Sequence, residues 1–369
     1  MSLSMSQRAA LACVTASAKA RRDDALELQQ QISRMSDIVP EDLRDALRSS
    51  ASQARVALHF HPDRPCAGGE TVALGLLRDG RYRSQYETRI SNGGLTASLG
   101  GRRDVCEERL FGGAYHSPGV APAERPKYGA LELLRHAEGP SPRFGSCYLL
   151  LSPGVSRRCT FTHLDSHEEP RDVGTLEELD AVLAAVLRDA FTRECAFGVR
   201  DLTVPSLLGR LRGDVGLPLG AYALSEPVRN LNYYVEAQVH GDIDLASDAD
   251  ALVADPSFRD TETGDALLEL CKRYDLKSYW HHGFRLAIQD VPRDFRGPTM
   301  PSLAQRVARS GFVDASAIGT KVRELHENPA AWSDRGSFDE VLQELKLLWH
   351  VLVRYGDAVR RPDPGGPAG

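Results

Sequence analysis

The chain has 369 residues, 42% of them hydrophobic and 26% charged, and its formal net charge is −6 at pH 7. These values fit a globular protein that is large enough for a substantial core and for more than one structural unit. The negative balance excludes a protein that binds nucleic acid through bulk positive charge, although it leaves a local basic groove open.

Cysteine use and hydropathy indicate the compartment. The seven cysteines contain no Cys-x-x-Cys pair, which argues against a disulfide framework and a zinc knuckle and indicates reduced thiols. No apolar run reaches membrane-spanning length, and the N-terminal residues lack the pattern of a cleaved signal peptide. We therefore expect a cytoplasmic protein without a membrane partner, or one that is exported or delivered without a cleaved signal.

Helical patterns are expected at both ends of the chain. Residues 1–52 predict a helical lead-in, because apolar residues recur there at helical spacing. Residues 259–358 predict a C-terminal helical region whose last helix begins near Ser337, where Glu340 completes the spacing of a capping box. The Pro- and Gly-rich tail at 359–369 is expected to be disordered.

The middle of the chain, about 53–258, is rich in strand formers and carries a predicted helical insertion at about 172–220. Thr175 and Glu178 have capping-box spacing at the start of that insertion. A short helix is expected at 70–78, and residues 105–111 form a short amphipathic stretch. Strands are expected at 55–61, 145–151, 232–240 and 250–254, and a strand or an extended loop is expected at 82–90.

One of these predicted strands carries a single carboxylate. The run Asn232-Tyr-Tyr-Val-Glu-Ala-Gln-Val-His240 places Glu236 among residues that favour strands. A lone acid in such a run either faces solvent or an arginine, or it is a catalytic acid whose neighbours set its charge. Upstream stretches favour the catalytic interpretation, because they supply a histidine at a strand end and tyrosines beside turns.

Several motifs resemble a sequence family. His-Pro-Asp-Arg at 61–64, Ile-Ser-Asn-Gly-Gly-Leu at 90–95, Arg-Pro-Lys-Tyr-Gly-Ala at 125–130 and Phe-Gly-Ser-Cys-Tyr at 144–148 follow one another. This order resembles an uncharacterised bacterial domain family over roughly residues 55–260. That resemblance alone implies no activity.

More remotely, the order of motifs is similar to that of ADP-ribosyltransferases of the poly(ADP-ribose) polymerase type, which use a His-Tyr-Glu set. The strand end at His61, the run Phe111-Gly-Gly-Ala-Tyr115, the run Arg125-Pro-Lys-Tyr128 and the strand with Glu236 take the places of that family's motifs. The resemblance implies an α+β fold with a split, strongly bent β core of the ADP-ribosyltransferase type, surrounded by N-terminal, inserted and C-terminal helices. It also implies NAD as a substrate and no metal.

The same resemblance implies roles for individual side chains. Glu236 would stabilise the positive charge that develops on the ribose and would orient or deprotonate the nucleophile. His61 would bind a ribose hydroxyl, and Tyr115 would stack on nicotinamide as the third catalytic residue, with Tyr128 as a second candidate for stacking. The residues implied to bind NAD are His61, Arg64 (at the pyrophosphate), Gly113, Tyr115, Tyr128 and Ser146.

Three positions depart from the family's pattern. Pro62 stands where the family has a glycine whose N–H commonly holds the nicotinamide amide, and proline has no N–H to donate. Arg125 aligns nearest to the serine of the family's Ser-Lys-Ser motif. Tyr234 stands where arginine-modifying relatives have Glu, which argues against arginine as the acceptor.

Two other functions stay open at this point. His59, His61 and Asp63 have a spacing that metal-dependent hydrolases use, although the two histidines would face opposite sides of a regular strand. Two further polar clusters are His163-Leu-Asp-Ser-His167 and His281-His282. A non-catalytic interaction protein would need only the helical flanks, and it would leave Glu236, His61 and Tyr115 apart.

The resemblance therefore implies a NAD-dependent ADP-ribosyltransferase that cleaves the nicotinamide–ribose bond. It would transfer single ADP-ribose units to a protein, nucleic acid or small-molecule acceptor. A bacterial toxin or effector of this kind would have an antitoxin or immunity protein among its partners.

Overall fold

The computed structural model describes residues 3–66, 68–90, 96–214 and 227–359. The Ser-Asn-Gly-Gly motif at 91–94, the end of the predicted insertion and all but the first residue of the predicted disordered tail lie outside these ranges. None of the helices in the described ranges combines the length and the apolarity that crossing a bilayer requires.

The described α-helices are concentrated at the two ends of the chain and between the strands. They are α1 Met5–Ala20, α2 Arg22–Met35, α3 Pro40–Gln53, α4 Val72–Asp79, α5 Gln85–Thr88, α6 Arg102–Leu110, α7 Asp180–Arg193, α8 Val204–Asp214, α9 Leu245–Asp248, α10 Glu262–Arg273, α11 Met300–Val307, α12 Ala315–Glu327 and α13 Phe338–Tyr355.

Most strands come from the middle of the chain. They are β1 Arg55–Phe60, β2 Lys127–Glu132, β3 Cys147–Leu151, β4 Cys159–His163, β5 Val173–Thr175, β6 Cys195–Ala196, β7 Val199–Arg200, β8 Val235–Val239, β9 Ala249–Ala254, β10 Lys277–Trp280, β11 Phe284–Ala287, β12 Phe312–Val313 and β13 Asp357–Ala358.

Eight of these strands form one central sheet in the order β10-β9-β3-β1-β2-β8-β4-β5. Strands β9 and β10 pair in parallel, and the other neighbours pair antiparallel. The protein is thus a mixed α/β structure around a mixed sheet, which agrees with the predicted combination of strands and helices. The ADP-ribosyltransferase-like form of the core stays a prediction.

The two faces of this sheet differ in polarity. One face carries Leu58, Leu149 and Ala237 into the main hydrophobic core, together with buried residues of α3, α4, α7, α8 and α10 to α13. Because side chains alternate along a strand and paired residues share a face, the residues between them face the other way. That second face is the one that positions the candidate site.

Polar residues of three neighbouring strands meet on the second face. Gln238 of β8 lies opposite Tyr128 of β2 and Thr160 of β4, and Glu236 lies opposite Thr162 of β4 on the same face. All of them are buried except Tyr128, which is half-buried. A buried polar face needs internal hydrogen bonds, because each unpaired polar group would cost about 1–3 kcal/mol.

The sheet opens between its fourth and fifth strands. Residues 55–57 of β1 pair with residues 130–132 of β2, but the pairing stops there although both strands continue. His59 and Phe60 at the end of β1, and residues 127–129 at the start of β2, line a cleft instead. The separation of two adjacent strands therefore creates access to the sheet next to Glu236.

Several predicted elements are confirmed. The strands expected at 55–61, 145–151, 232–240 and 250–254 correspond to β1, β3, β8 and β9. The helix expected at 70–78 corresponds to α4, and most of the amphipathic stretch at 105–111 lies in α6. Helix α13 begins after Ser337 with the expected capping box. Each of these predictions depended on a local pattern.

Other predictions need correction. Thr175 lies in β5, and α7 begins at Asp180 after Leu179, so the predicted capping box at Thr175 is wrong. The stretch 82–90 contains α5, because Ser84 and Glu87 form a capping box that outweighs its β-forming residues. The C-terminal region contains β10 to β13 besides its helices, and β10 completes the central sheet through a β9-α10-β10 crossover.

Candidate functional site

A cleft of about 210 Å³ lies at the opening between β1 and β2. Its lining includes His61, Arg64, Tyr128 and Glu236, together with Arg103 of α6. The volume exceeds the ~150 Å³ that holds a benzene ring in an engineered cavity, so one aromatic ring fits inside. The structure thus brings four of the predicted site residues to one place.

Glu236 occupies the floor of the cleft and is 3% exposed. Its Oε1 accepts a hydrogen bond of 2.9 Å from Gln238 Nε2. Burial is the main cause that raises the pKa of Glu236 to about 7, and the negative charge of Asp165 adds to it, while Arg103 acts in the opposite direction. The carboxyl group therefore changes its charge near neutral pH.

Asp165 is the carboxylate that stays ionised beside Glu236. It accepts a 2.9 Å hydrogen bond from the Tyr234 hydroxyl and pairs with His167 at 2.8 Å. Burial opposes its ionisation, but the hydrogen bonds from His167 outweigh burial and hold the pKa of Asp165 below its usual value. The negative charge of Asp165 next to Glu236 favours a positively charged group where these two carboxyl groups border the cleft.

Arg103 supplies a positive charge at this position. The side chain is buried, and its Nη1 donates to Ser166 Oγ at 3.3 Å. Its guanidinium carbon lies 4.0 Å from the ring centroid of Tyr128. The Tyr128 hydroxyl in turn donates to Glu107 Oε1 at 2.7 Å, so the ring is held from two sides. Burial raises the pKa of Tyr128 well above its usual value, and the phenol stays neutral.

His61 and Arg64 form the other wall of the cleft, in the turn that follows β1. The His61 ring contacts Trp349 of α13 edge-on, with 5.1 Å between centroids, and burial keeps its pKa well below the usual value. Arg64 is 5% exposed, and within the described part of the chain its Nε and Nη1 have no hydrogen-bond partner. A buried guanidinium with free donors that faces a cleft is suited to an anionic ligand.

The remaining predicted residues do not line the cleft. Tyr115 is buried in a small cluster with Phe111, and its hydroxyl lies 2.6 Å from His240 Nδ1. Gly113 lies in the turn after α6 with φ 75°. Ser146 is buried ahead of β3, where its carbonyl oxygen contacts His281 Nε2 at 3.0 Å. Of the two predicted tyrosines, Tyr128 thus borders the cleft and Tyr115 does not.

The histidines of the alternative metal site are engaged separately. The two ring nitrogens of His59 lie 3.3 Å from Gly145 O and from Ser141 N, while His61 packs on the tryptophan. Asp63 packs so closely against Gly319 of α12 that a Cβ there would overlap its carboxylate. In the ranges that the structure describes, no three His, Cys, Asp or Glu side chains are grouped as metal ligands.

The histidines of the two other polar clusters also have contacts of their own. His163 pairs with Asp189 of α7 at 2.9 Å, whereas His167 pairs with Asp165. His281 accepts from Gly283 N at 3.0 Å through its Nδ1. These histidines therefore have partners within their own surroundings.

Sequence reasoning missed Arg103, Gln238 and the role of Asp165. A local signal existed for Arg103, because Arg103 and Glu107 are four residues apart on one face of α6 and both approach Tyr128. Gln238 follows Glu236 at strand spacing and so shares its face. The approach of Asp165 depends on pairing between β4 and β8, which no local pattern reveals.

A protein-family model matches most of the chain. No curated protein matches the chain in sequence. The matched family region begins at the first residue of β1 and ends at the last residue of α13, so it contains the cleft and the C-terminal helices together. The family model described as "Protein of unknown function (DUF3626)" matches residues 55–355, and the chain belongs to this family.

Proposed function

We propose that the protein is a NAD-dependent ADP-ribosyltransferase. The observation that carries the proposal is the convergence of Glu236 from β8, Tyr128 from β2, and His61 and Arg64 from the turn after β1 on one cleft. An acid, an imidazole and a phenol ring match the His-Tyr-Glu set, and the tyrosine of that set is Tyr128 in this proposal. The opening of the sheet between β1 and β2 is the feature that the split β core would require.

Glu236 acts on the bond between nicotinamide and ribose. When this bond breaks, its electron pair leaves with the nicotinamide nitrogen and positive charge develops at ribose C1′. The ionised Glu236 stabilises that charge across the cleft. The acceptor then forms a bond to C1′ and loses its proton, which Glu236 takes up.

His61 and Arg64 hold the rest of the dinucleotide. The neutral His61 ring has a donor and an acceptor nitrogen, which suits a ribose hydroxyl. The free Nε and Nη1 of Arg64 suit the pyrophosphate, and charge-assisted hydrogen bonds of this kind contribute about 1.5–3 kcal/mol. The side chains thus distribute the sugar and the phosphates along one wall.

Tyr128 holds the nicotinamide ring. Its hydroxyl is fixed by Glu107 and one ring face is covered by Arg103, so the ring has a single orientation. An aromatic side chain fixed in this way is a rigid surface for stacking. Pro62 has no N–H to offer the carboxamide, which must find its donors elsewhere in the cleft.

The experiment is incubation of the purified protein with NAD that carries label in the adenylate phosphate. Free nicotinamide is followed by chromatography, and labelled protein, nucleic acid and small molecules are separated afterwards. We expect nicotinamide release, with label on one class of acceptor, in the presence of a chelator. No release with any acceptor class would contradict the proposal, and a chelator-sensitive hydrolysis would favour the metal-dependent alternative.

A further inference from the structure

A chain of hydrogen bonds runs through the sheet behind Glu236. Gln238 Nε2 lies 2.9 Å from Glu236 Oε1, and Thr160 Oγ1 lies 2.7 Å from Gln238 Oε1. His240 Nε2 lies 3.1 Å from Thr160 Oγ1, and the Tyr115 hydroxyl lies 2.6 Å from His240 Nδ1. All five side chains are at most 3% exposed. Tyr115 is therefore connected to Glu236 although it does not line the cleft.

The direction of these bonds follows from the donors that each group has. The Gln238 amide can face an ionised Glu236 only with its NH₂ group, which leaves its carbonyl oxygen for Thr160. Thr160 spends its one proton on that oxygen, so His240 Nε2–H must donate to the threonine. Burial lowers the pKa of His240 to about 3, so the ring is neutral and its Nδ1 accepts from Tyr115. Every bond in the chain thus points toward Glu236.

The opposite direction fits only the protonated acid. If Glu236 donated its own proton to Gln238, the amide would have to rotate and each later bond would reverse. His240 would then carry its proton on Nδ1 and donate it to the Tyr115 oxygen. An Nδ1–H tautomer of His240 would consequently indicate a protonated Glu236 at the other end of the chain.

We propose that Gln238, Thr160, His240 and Tyr115 are positioning residues that hold the Glu236 carboxylate in one orientation and favour its ionised form. This inference assigns Tyr115 a place behind the site, and its catalytic consequence rests on the proposed function. Hydrogen bonds to an ionised group are stronger than those between neutral groups, and linked bonds polarise one another. Removing a link therefore makes ionisation of Glu236 less favourable.

The first test measures the chain without any enzymatic assay. Carboxyl ¹³C NMR of glutamate-labelled protein follows the titration of Glu236, which is assigned by the signal lost in Glu236→Gln. We expect Gln238→Met to raise the pKa of Glu236 by about 1, Thr160→Val by about 0.5 and Tyr115→Phe by less. The order follows the number of links between each residue and the acid.

Strand β4, which carries Thr160, also offers a matched control. Thr162 is as buried as Thr160 and lies directly opposite Glu236, but its hydroxyl donates to Leu164 O at 2.8 Å and is outside the chain. Thr162→Val should leave the pKa of Glu236 unchanged. A larger shift from Thr162→Val than from Thr160→Val would mean that proximity, and not the chain, controls Glu236, and the inference would be overturned.

Two further readouts separate this inference from the proposed function. Nitrogen-15 NMR of labelled histidine, with His240 assigned by His240→Asn, should show the Nε2–H tautomer at pH 8.5; the Nδ1–H tautomer there contradicts the chain. For Thr160→Val, the pH at which nicotinamide release reaches half its maximum should rise by about 0.5, which is a threefold higher hydroxide concentration. If no variant releases nicotinamide, the proposed function fails, while the NMR results still decide the inference.

Discussion

Two buried glutamates of this protein lie in different surroundings. Glu236 is 3% exposed and Glu138 is 2% exposed, and burial raises the pKa of each to about 7. Glu138 accepts a 2.7 Å hydrogen bond from the backbone N–H of Arg229 and does not line the cleft. Glu236 borders the cleft, with Arg103 and Asp165 beside it.

The difference shows what marks a candidate catalytic acid. A raised pKa follows from burial alone and is common to both glutamates, so it does not distinguish them. Access to the cleft does distinguish them, because Glu236 lines it and Glu138 does not. The comparison also supplies a control, since the same substitution can be made in both regions.

The largest expected effect comes from substituting the two glutamates. Glu236→Gln should lower nicotinamide release about 100-fold or more, because the neutral amide neither stabilises positive charge nor accepts a proton. Glu138→Gln should leave the rate within about threefold, measured at the same temperature with circular dichroism to confirm folding. Equal losses in both variants would remove the distinction between the regions.

The dependence of the rate on pH is the second way to test the comparison. The proposed reaction would need ionised Glu236, whose pKa is raised by burial and by Asp165 to about 7. The rate should therefore rise with pH, by about 100-fold between pH 5 and pH 8, and level off above about 7. Initial rates of nicotinamide release in buffers of constant ionic strength measure this. A rate that falls across this range would assign Glu236 the role of an acid.

Substitution of Arg64 tests the other wall of the cleft. Arg64→Met should raise the KM for NAD by about 10-fold or more with little change in kcat, because phosphate contacts are present before and during bond cleavage. Arg335→Met is the control, since Arg335 is 12% exposed and pairs with Glu344 outside the cleft. A loss of kcat with unchanged KM would exclude a role for Arg64 in binding the phosphates.

The smallest expected effect is on stability. The folded-state pKa of Glu236 lies above the unfolded value, so the contribution of this group to stability is most favourable below about pH 4.5 and is lost as the pH rises to about 7. Glu236→Gln removes this loss, so its free energy of unfolding at pH 8 should exceed that of the parent by at most about 3 kcal/mol, with no such gain at pH 4. Denaturant titrations at the two pH values measure this difference. A constant difference at both pH values would show that ionisation is not its cause.

Local patterns in the sequence predicted β1 and β8 of the site, but they predicted neither β2 and β4 nor the arrangement of the four strands. The strand that holds Glu236 and the strand end at His61 were identified because alternation and turn residues are local signals. Tyr115 and Tyr128 both follow irregular segments, and only the pairing of β2 with β8 places Tyr128 next to Glu236. The half-exposed strand β10 was missed because four residues give too little alternation to predict a strand.

The role of Tyr115 shows a second limit of sequence reasoning. Its glycine-rich surroundings resembled a ligand-binding turn, yet its hydroxyl is directed to His240, more than a hundred residues away in sequence. Such a contact depends on how α6 and the following turn pack on the sheet. A residue can thus belong to the site's support without touching the ligand.

The central claim is that NAD binds in the cleft with its reacting bond beside Glu236. A crystal structure of the Glu236→Gln variant with NAD tests it most directly, because this variant should bind NAD without cleaving it. The account predicts nicotinamide on the ring of Tyr128, ribose C1′ facing position 236 and the pyrophosphate on Arg64. NAD bound at any other surface, with the cleft empty, would contradict it.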